Sequence, residues 1–269
     1  MYSFDYQRPG SRAEAVRAAQ GEARYLAGGQ SLVQAMKLRL SSPERMVDLG
    51  GIADLRGIKQ DGASLVIGAM TTHAAVASSP EVRRAIPALA ELAEGIGDPM
   101  VRNMGTLGGS IANADPAADY PAALVALGAT VQTDRRSIPA EAFFTGLYET
   151  ALEPGELVVA VSFPKPQRAA YSKLRQPASR FALVGVFVSQ GANGVRVAVT
   201  GAGSSAFRIK AMEDALAKNF APESLAQVPV ATDNLNGDIH GSAVYRAAMI
   251  KLMARKAVAA AASRAGENK

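Results

Sequence analysis

The chain has 269 residues, 48% of them hydrophobic, with no cysteine, no tryptophan and a formal net charge of +5 at pH 7. This length and composition support a sizeable core in roughly one to three domains or subdomains and exclude a globally disordered chain. Without cysteine, the chain has no disulfide, no thiolate nucleophile and no Cys-ligated zinc or iron–sulfur cluster.

The positive charge does not indicate nucleic-acid binding, because the lysines and arginines are spread among acidic residues and form no dense run. The N-terminal MYSFDYQRPG lacks the layout of a signal peptide, and apolar stretches end well before the roughly 20 residues of a membrane helix. We therefore expect a cytoplasmic protein with no membrane span. The two histidines, His73 and His240, are too few for a multi-His metal site, and we expect His73 to be structural.

The first fifty residues predict a unit of helix, strand, glycine turn, helix and strand. Ser11 is placed to cap a helix that runs to about Gln20. ARYLAGG is typical of a short buried strand that ends in glycines, and a helix is predicted from about Ser31 to Leu40. PERMVDL then predicts the closing strand.

A second unit begins at the strand SLVIGAMTT. Ser79 and Pro80 predict a helix start, and the helix should run toward Gly95 with a break or kink at Pro87. A further helix is predicted from Tyr120 through Leu127, followed by a strand in GATVQTD.

The third part follows FPKPQRA, whose two prolines predict a linker or exposed crossover. FALVGVFVSQ and VRVAVTGAG predict two strands joined by a turn at Asn193-Gly194. A long Ala-rich helix is predicted from about Ser242 to Ala265, with Tyr245, Met249 and Leu252 on one face. We expect a domain boundary near residue 166, so that one domain spans 1–166, with subdomains of about 1–55 and 56–166, and a second spans 167–269.

Two glycine loops, AGGQS at residues 27–31 and GTLGGS at 105–110, carry the chemical signal. A glycine turn that enters a helix exposes backbone N–H groups at the positive end of the helix dipole, where Ser and Thr hydroxyls add donors. Each loop alone is also explained as a tight turn with a helix cap. Together they indicate two loops that converge on one diphosphate. Neither matches the dinucleotide fingerprint G-x-G-x-x-G or the phosphate-loop motif G-x-x-x-x-G-K-[ST].

The segments AGGQSL, MKLRL, VDLGGI, IGAMTT, VRNMGTLGGSIANADPAADYPA, LGATV and YSKLRQPASRFALVGV occur in an order and spacing that resemble one family. The chain is similar throughout its length to the FAD-binding medium subunit of the molybdenum hydroxylases, of the carbon monoxide dehydrogenase, xanthine dehydrogenase and aldehyde oxidoreductase type. The resemblance implies an α+β fold. It consists of a two-part FAD-binding domain of the vanillyl-alcohol-oxidase (PCMH) type and an α+β C-terminal domain.

The resemblance also implies partners. A large subunit would hold molybdopterin and a small subunit two [2Fe–2S] clusters, in a heterotrimer that often dimerises. This chain would pass electrons from those clusters through FAD to an external acceptor. Two alternatives stay open at this point: a self-contained FAD-dependent oxidase or reductase of the same fold, and a cofactor-free assembly or structural protein.

The resemblance further implies the FAD-binding residues, and no residue of this chain is expected to be catalytic. They are Tyr25, Leu26, Ala27, Gly28, Gly29, Gln30, Ser31 and Leu32 in the first loop, Thr106, Leu107, Gly108, Gly109 and Ser110 in the second, and Ile96, Asp119, Val158, Lys173 and Phe181 elsewhere.

Five of these residues have alternatives. Asp119 is expected to contact hydroxyls of the FAD chain, or otherwise to be a helix N-terminal charge. Lys173 is expected near the flavin, where a cation favours an anionic reduced ring, or otherwise on an exposed strand. Phe181 is expected beside the flavin ring or in the core. Ile96 and Val158 are expected to line the cofactor, or otherwise to be core residues. The acids Asp115 and Asp119 do not favour a two-carboxylate hydrolase.

Overall fold

The structure is a computed structural model that describes residues 1–267. Its strands are β1 (Asp5–Gln7), β2 (Ala23–Leu26), β3 (Arg45–Asp48), β4 (Ile58–Asp61), β5 (Ser64–Gly68), β6 (Thr130–Thr133), β7 (Ser137–Pro139), β8 (Phe144–Gly146), β9 (Glu149–Thr150), β10 (Val158–Pro164), β11 (Arg168–Arg175), β12 (Ala182–Gly191), β13 (Gly194–Thr200) and β14 (Phe207–Arg208).

Its helices are α1 (Arg12–Ala18), α2 (Leu32–Lys37), α3 (His73–Ser78), α4 (Pro80–Ala85), α5 (Pro87–Glu94), α6 (Pro99–Met104), α7 (Leu107–Asn113), α8 (Tyr120–Leu127), α9 (Ala140–Phe143), α10 (Lys210–Lys218) and α11 (Ala243–Glu267). Short 3₁₀ turns lie at Leu49–Gly51, Ala53–Leu55 and Pro222–Leu225.

The first unit is a parallel three-stranded sheet in the order β1-β3-β2. The Ser11 hydroxyl caps α1 by accepting the backbone N–H of Glu14, as the sequence predicts. Parallel neighbours require crossover connections, and α1 and α2 provide them. The predicted strand–turn–helix–strand unit is confirmed, and it places the AGGQS loop between β2 and α2.

The second unit is an antiparallel sheet in the order β4-β5-β10-β6-β7, covered by the helices from α3 to α8. The predicted break at Pro87 is complete. Ile86 leaves the helical region, at φ −146° and ψ 73°, and Pro87 starts a new helix, α5. The reason is that a residue before proline disfavours the helical region. Tyr120, Phe143 and Phe163 are among the fully buried side chains of this core.

The third unit is an antiparallel sheet in the order β11-β12-β13-β14, with α10 and α11 packed against it. FPKPQRA is shorter as a linker than the sequence predicts, since β10 continues to Pro164 and β11 begins at Arg168. Pro164 fits in β10 because it is the last residue of the strand and pairs only with Ser64 of β5, beyond the point where β6 pairs with β10.

The face of α11 that carries Tyr245 and Leu252 is its exposed side, with 44% and 40% of each residue accessible. The buried stripe lies elsewhere on the helix and consists of Ile250, Met253, Ala254, Ala257, Val258 and Ala261. Three alanines lie in this stripe beside Ile250, Met253 and Val258, so the packed face combines small and large side chains.

The second and third units are joined through α8, which packs on β12 and β13. The Thr200 hydroxyl donates to the carbonyls of Pro116 and Ala118 at 2.9 and 2.6 Å, and the N–H of Gly201 donates to Pro116 at 2.8 Å. These bonds fix the segment that leads into Asp119. Within residues 1–267, no helix is both long enough and apolar enough to span a bilayer.

The strand before the first glycine loop is anchored from the side. The Tyr25 hydroxyl on β2 donates to the carbonyl of Gly155 at 2.9 Å, in the segment that precedes β10. The next residue, Glu156, has a fully buried side chain and accepts hydrogen bonds from Arg136 at 2.9 and 3.0 Å and from the Thr133 hydroxyl at 2.7 Å. These bonds, led by Arg136, lower the pKa of Glu156 to about 2.

We predict that Glu156→Gln lowers the free energy of unfolding by about 2 kcal/mol at pH 7, the usual size for hydrogen bonds to a charged group. A carboxyl with a lowered pKa contributes stability above its unfolded pKa and loses it as the pH falls through its folded pKa. The difference between variant and wild type should therefore shrink from about pH 4.5 and vanish near pH 2. Urea unfolding across this range measures it, and the exposed Glu22→Gln is the control. A difference that does not change with pH would contradict the assignment.

Candidate cofactor site

The first glycine loop offers unused donors. In the described chain, residues 1–267, the backbone N–H groups of Gly28, Gly29, Gln30 and Ser31 donate to no protein acceptor. Ser31 is the N-cap residue of α2 but its hydroxyl makes no capping bond, so the cap alternative for this side chain is wrong. Gly29 has φ 71°, which favours glycine. Adjacent free N–H groups of this kind form an anion-binding concavity.

The second loop is organised differently. Thr106 caps α7, and its hydroxyl accepts the N–H of Gly109 at 3.1 Å. The N–H groups of Leu107 and Gly108 donate to Thr71 and Ala69 at 3.0 and 2.8 Å. The amides that the sequence assigns to a phosphate are thus already bonded within the protein, because this segment bridges to residues 69–72 as it enters the helix.

The glycines of the second loop serve close packing. A Cβ on Gly108 would lie 2.5 Å from the Cβ of Ala69. The Ser110 hydroxyl makes no hydrogen bond among the described residues and stays available to a ligand. Leu107 is fully buried in the core. The second loop therefore mainly packs against residues 69–71 and offers few hydrogen-bond donors to a ligand.

The two loops lie directly against each other, as the sequence predicts. A Cβ on Gly28 would lie 2.0 Å from the carbonyl oxygen of Met104 and 2.8 Å from the Cα of Gly105. A Cβ on Gly109 would lie 3.3 Å from that of Ala27. Backbone meets backbone here, and only glycine at position 28 permits it. Binding of one diphosphate by both loops remains a prediction.

Asp119 and Lys173 form a buried ion pair between α8 and β11. The Lys173 ammonium lies 2.9 Å from both carboxylate oxygens of Asp119, and the two side chains are only 4% and 5% exposed. The Tyr171 hydroxyl donates to the same carboxylate at 2.5 Å. Asp119 precedes α8 but makes no capping bond. Asp119 thus stands at the N-terminus of α8, as its alternative expected, without a capping bond, whereas the exposed-strand alternative for Lys173 is wrong.

The ammonium of Lys173 is fully used inside the protein. It has three N–H donors, and three acceptors lie within reach: both oxygens of Asp119 and the carbonyl of Gly95 at 3.1 Å. Burial raises the pKa of Asp119, while Lys173 and the Tyr171 hydroxyl oppose that rise. With Asp119 ionised the pair carries no net charge, so Lys173 does not act on a neighbouring ring as an isolated cation.

The remaining predicted residues differ in exposure. Phe181 is 45% exposed in the turn before β12, so the core alternative for this residue is wrong. Val158 is 5% exposed and belongs to the main apolar core. Ile96 is partly buried and packs against the same core. Of the residues predicted to bind the cofactor, the accessible ones include those of the first loop, Ser110 and Phe181.

His73 is the first residue of α3 and packs against Gly105 of the second loop. The backbone N–H of His73 donates to the Gly105 carbonyl at 2.9 Å. A Cβ on Gly105 would lie 2.6 Å from the Nε2 of the His73 ring. Burial, with a smaller effect of Arg102, lowers its pKa to about 4. A neutral, buried imidazole agrees with the expected structural role.

Two surface cavities are lined by none of the predicted cofactor residues. One of about 670 Å³ is bordered by Arg8, Arg17 and Arg45, and one of about 370 Å³ by Arg56 and Ser79. Within residues 1–267 no group of three or more His, Asp or Glu side chains could hold a metal ion.

Comparisons with known proteins show the family of this chain. Residues 2–166 match the family model described as the FAD binding domain in molybdopterin dehydrogenase. The chain is 37% identical to the carbon monoxide dehydrogenase medium chain of Hydrogenophaga pseudoflava over 97% of this chain and 98% of that one. The chain belongs to the FAD-binding medium subunits of the molybdenum hydroxylases.

Solved structures agree with this family. The reconstituted CO dehydrogenase from Oligotropha carboxidovorans superposes with a TM-score of 0.90 at 35% identity, covering 98% of this chain and 99% of that one. Quinoline 2-oxidoreductase from Pseudomonas putida 86 gives 0.89 at 31% identity and 98% coverage of each. The α+β fold of the medium subunit, FAD as its cofactor and its place in an oxidoreductase are thereby confirmed.

Three residues that shape this site escaped the sequence analysis: Tyr171, Gly185 and Met104. Tyr171 and Lys173 alternate on one strand and so point to the same face of the sheet, which is a readable signal. Gly185 inside the apolar FALVGVFV strand is a second signal, because glycine weakens a strand interior unless a close approach requires it. Met104 contributes a backbone carbonyl, which no side-chain pattern reveals.

We predict that Gly28→Ala forces the two glycine loops apart and lowers the free energy of unfolding by about 1–3 kcal/mol, the range for overpacking. Gly10→Ala is the matched control, because its Cβ would meet only the end of the Glu14 side chain at 3.8 Å. Thermal unfolding of the two variants measures the difference. Equal melting temperatures would show that the loops yield easily and do not form a fixed contact.

Proposed function

We propose that this chain is the flavin-holding, electron-transfer component of a heterotrimeric molybdenum hydroxylase. FAD, when bound, takes electrons from [2Fe–2S] clusters of a partner subunit and passes them to an external acceptor. The observation that carries the proposal is the set of unused N–H groups and the free Ser31 hydroxyl in the first loop, in a chain of this family.

The residues of the first loop fit the diphosphate of FAD. Four consecutive N–H groups and one hydroxyl can satisfy phosphate oxygens without any lysine or arginine in the loop. The Ser110 hydroxyl lies on the adjoining second loop and can add a further donor. Phe181, exposed on the turn before β12, offers an aromatic face to the flavin ring.

Asp119 and Lys173 act on this site through one another. Their pairing joins α8 of the cofactor region to β11, and the Gly95 carbonyl extends the connection to the end of α5. We therefore assign them to holding the ring-facing segments in place rather than to a direct charge on the flavin.

The partners follow from composition and from relatives. Cysteine is absent, so thiolate-held clusters must belong to another chain. Relatives are named as parts of assemblies, among them the 6-hydroxypseudooxynicotine dehydrogenase complex subunit alpha of Paenarthrobacter nicotinovorans, 34% identical over 99% of this chain and 97% of that one. We propose a small [2Fe–2S] subunit and a large molybdopterin subunit as partners, in a dimer of heterotrimers.

We place the domain boundary near residue 166. The second sheet ends with β10 at Pro164, and the third sheet starts with β11 at Arg168. The subdomains 1–55 and 56–166 correspond to the parallel sheet and to the five-stranded sheet with its helices.

The purified chain, or the chain mixed with FAD, should show a flavin absorption spectrum and release FAD near one per chain. Ser31→Ala should weaken FAD binding about thirtyfold, because a hydrogen bond to a charged group is worth about 2 kcal/mol. Ser42→Ala, an exposed serine of the same unit, is the control. Titration by quenching of flavin fluorescence measures both. An unchanged affinity in Ser31→Ala would remove this hydroxyl from the site.

Electron transfer is tested with the partners. The FAD-loaded chain should lose its visible flavin absorbance when mixed with the reduced [2Fe–2S] subunit of its complex, and not when mixed with substrate alone. Stopped-flow absorbance measures this reaction. Reduction by substrate in the absence of both partner subunits would contradict the proposal and favour a self-contained oxidoreductase.

A further inference from the structure

We propose that Tyr171 is a positioning residue of the FAD site. Its hydroxyl keeps the buried Asp119 carboxylate ionised and turned toward Lys173, so that the cofactor region and the C-terminal sheet are locked together by a cluster without net charge. The inference rests on the proposed FAD site for its effect on cofactor binding, whereas its effect on stability does not.

The geometry of Asp119 motivates this role. A carboxylate at the start of a helix ordinarily accepts N–H groups of the first turn. Asp119 instead directs both oxygens across to β11, where Tyr171 donates to Oδ1 at 2.5 Å and Lys173 reaches both oxygens at 2.9 Å. Because Lys173 also bonds the Gly95 carbonyl, the orientation of Asp119 determines where the ammonium lies and how α5 ends.

The neighbouring strand makes room for the Tyr171 hydroxyl. Gly185 on β12 pairs with Lys173, and a Cβ at this position would lie 2.3 Å from the Tyr171 hydroxyl oxygen. The Tyr171 ring stacks on buried Phe187 with centroids 6.1 Å apart and an interplanar angle of 29°. The space left by Gly185 and the stacking on Phe187 together place the Tyr171 hydroxyl against Asp119.

The surroundings explain why a third group is needed. Asp119 is nearly inaccessible, and removing water disfavours its ionised form. The titratable and charged groups around it are Lys173, Tyr171 and Arg175 from β11 and Tyr120 from α8. Lys173 pairs with Asp119 directly, and the Tyr171 hydroxyl supplies a neutral donor that favours the carboxylate without adding charge.

The first test is the stability of the full chain without added FAD. Tyr171→Phe should decrease the folding equilibrium constant about tenfold at pH 7, the size of a charge-assisted hydrogen bond. The variant raises the pKa of Asp119 further, and a raised pKa gives stability that is present at acid pH and lost as the pH rises. The deficit should therefore be largest at neutral pH and shrink toward acid pH. Tyr245→Phe, on the exposed face of α11, is the control.

The double variant separates positioning from packing. In an Asp119→Asn background, Tyr171→Phe should cost clearly less, because the amide oxygen accepts only an uncharged hydrogen bond, and its dependence on pH should disappear. An equal loss in both backgrounds would mean that Tyr171 contributes only by packing and would overturn the proposal. So would a Tyr171→Phe chain as stable as the wild type at every pH.

A second variant approaches the same contact from β12. Gly185→Ala places a Cβ against the hydroxyl, so it should reproduce the loss and be tolerated better in the Tyr171→Phe chain, which lacks the clashing oxygen. If Tyr171→Phe does not fold, Gly185→Ala and Asp119→Asn still decide the matter. The stability loss caused by Gly185→Ala should depend on pH in the wild-type background and not in the Asp119→Asn background. A pH dependence that persists in the Asp119→Asn background would overturn the proposal.

Cofactor affinity gives the second readout, by fluorescence titration with FAD. Tyr171→Phe should bind FAD about tenfold more weakly than Tyr245→Phe. An unchanged affinity with the stability effect intact would overturn the role in the FAD site. Absence of FAD binding by the wild-type chain would instead contradict the proposed function, while the stability measurements would still test the contact.

Discussion

The buried carboxylate of Asp119 constrains the whole arrangement. Removing a charge from water is expensive, and the expense is offset only when the geometry of the partners is good and the remaining lone pairs are used. Here an ammonium contacts both oxygens and a tyrosine hydroxyl contacts one of them. Asp119 immediately precedes α8, whereas Lys173 and Tyr171 lie on β11 of the C-terminal sheet. The charge of Asp119 is therefore paired only when α8 packs against the C-terminal sheet.

The docking affects the glycine loops indirectly. α5 ends at Glu94, and the following carbonyl of Gly95 is held by Lys173. The carbonyls of Ile96 and Gly97 are then held by Arg102 on α6 at 2.9 and 3.1 Å. α6 ends at Met104, whose carbonyl lies against Gly28. Hydrogen bonds from the Lys173 and Arg102 side chains to backbone carbonyls, followed by the packing of Met104 against Gly28, thus connect the ion pair to the first loop.

Local patterns predicted local structure well and long-range geometry poorly. Ser11 capping α1, Pro87 ending α4 and the two glycine turns each depend on a few neighbouring residues, and all could be read from the sequence. Which face of α11 is buried depends on its packing against a sheet formed earlier in the chain, and the sequence pattern did not identify that face. The use of the second loop's N–H groups depends on residues 69–72, which no local motif connects to GTLGGS. Lys173 was expected beside the flavin because of the family resemblance, and only the structure reveals that its three donors are taken.

The division of work between the two loops follows from their hydrogen bonds. A loop can bind phosphate with its backbone only while its N–H groups lack protein partners, and it can be a rigid wall only when they have them. The first loop satisfies the first condition and the second loop largely satisfies the second. Gly28 packs directly against the Met104 carbonyl. This contact positions the first loop while its N–H groups keep no protein acceptor. Preorganised neutral donors of this kind bind an anion with little rearrangement.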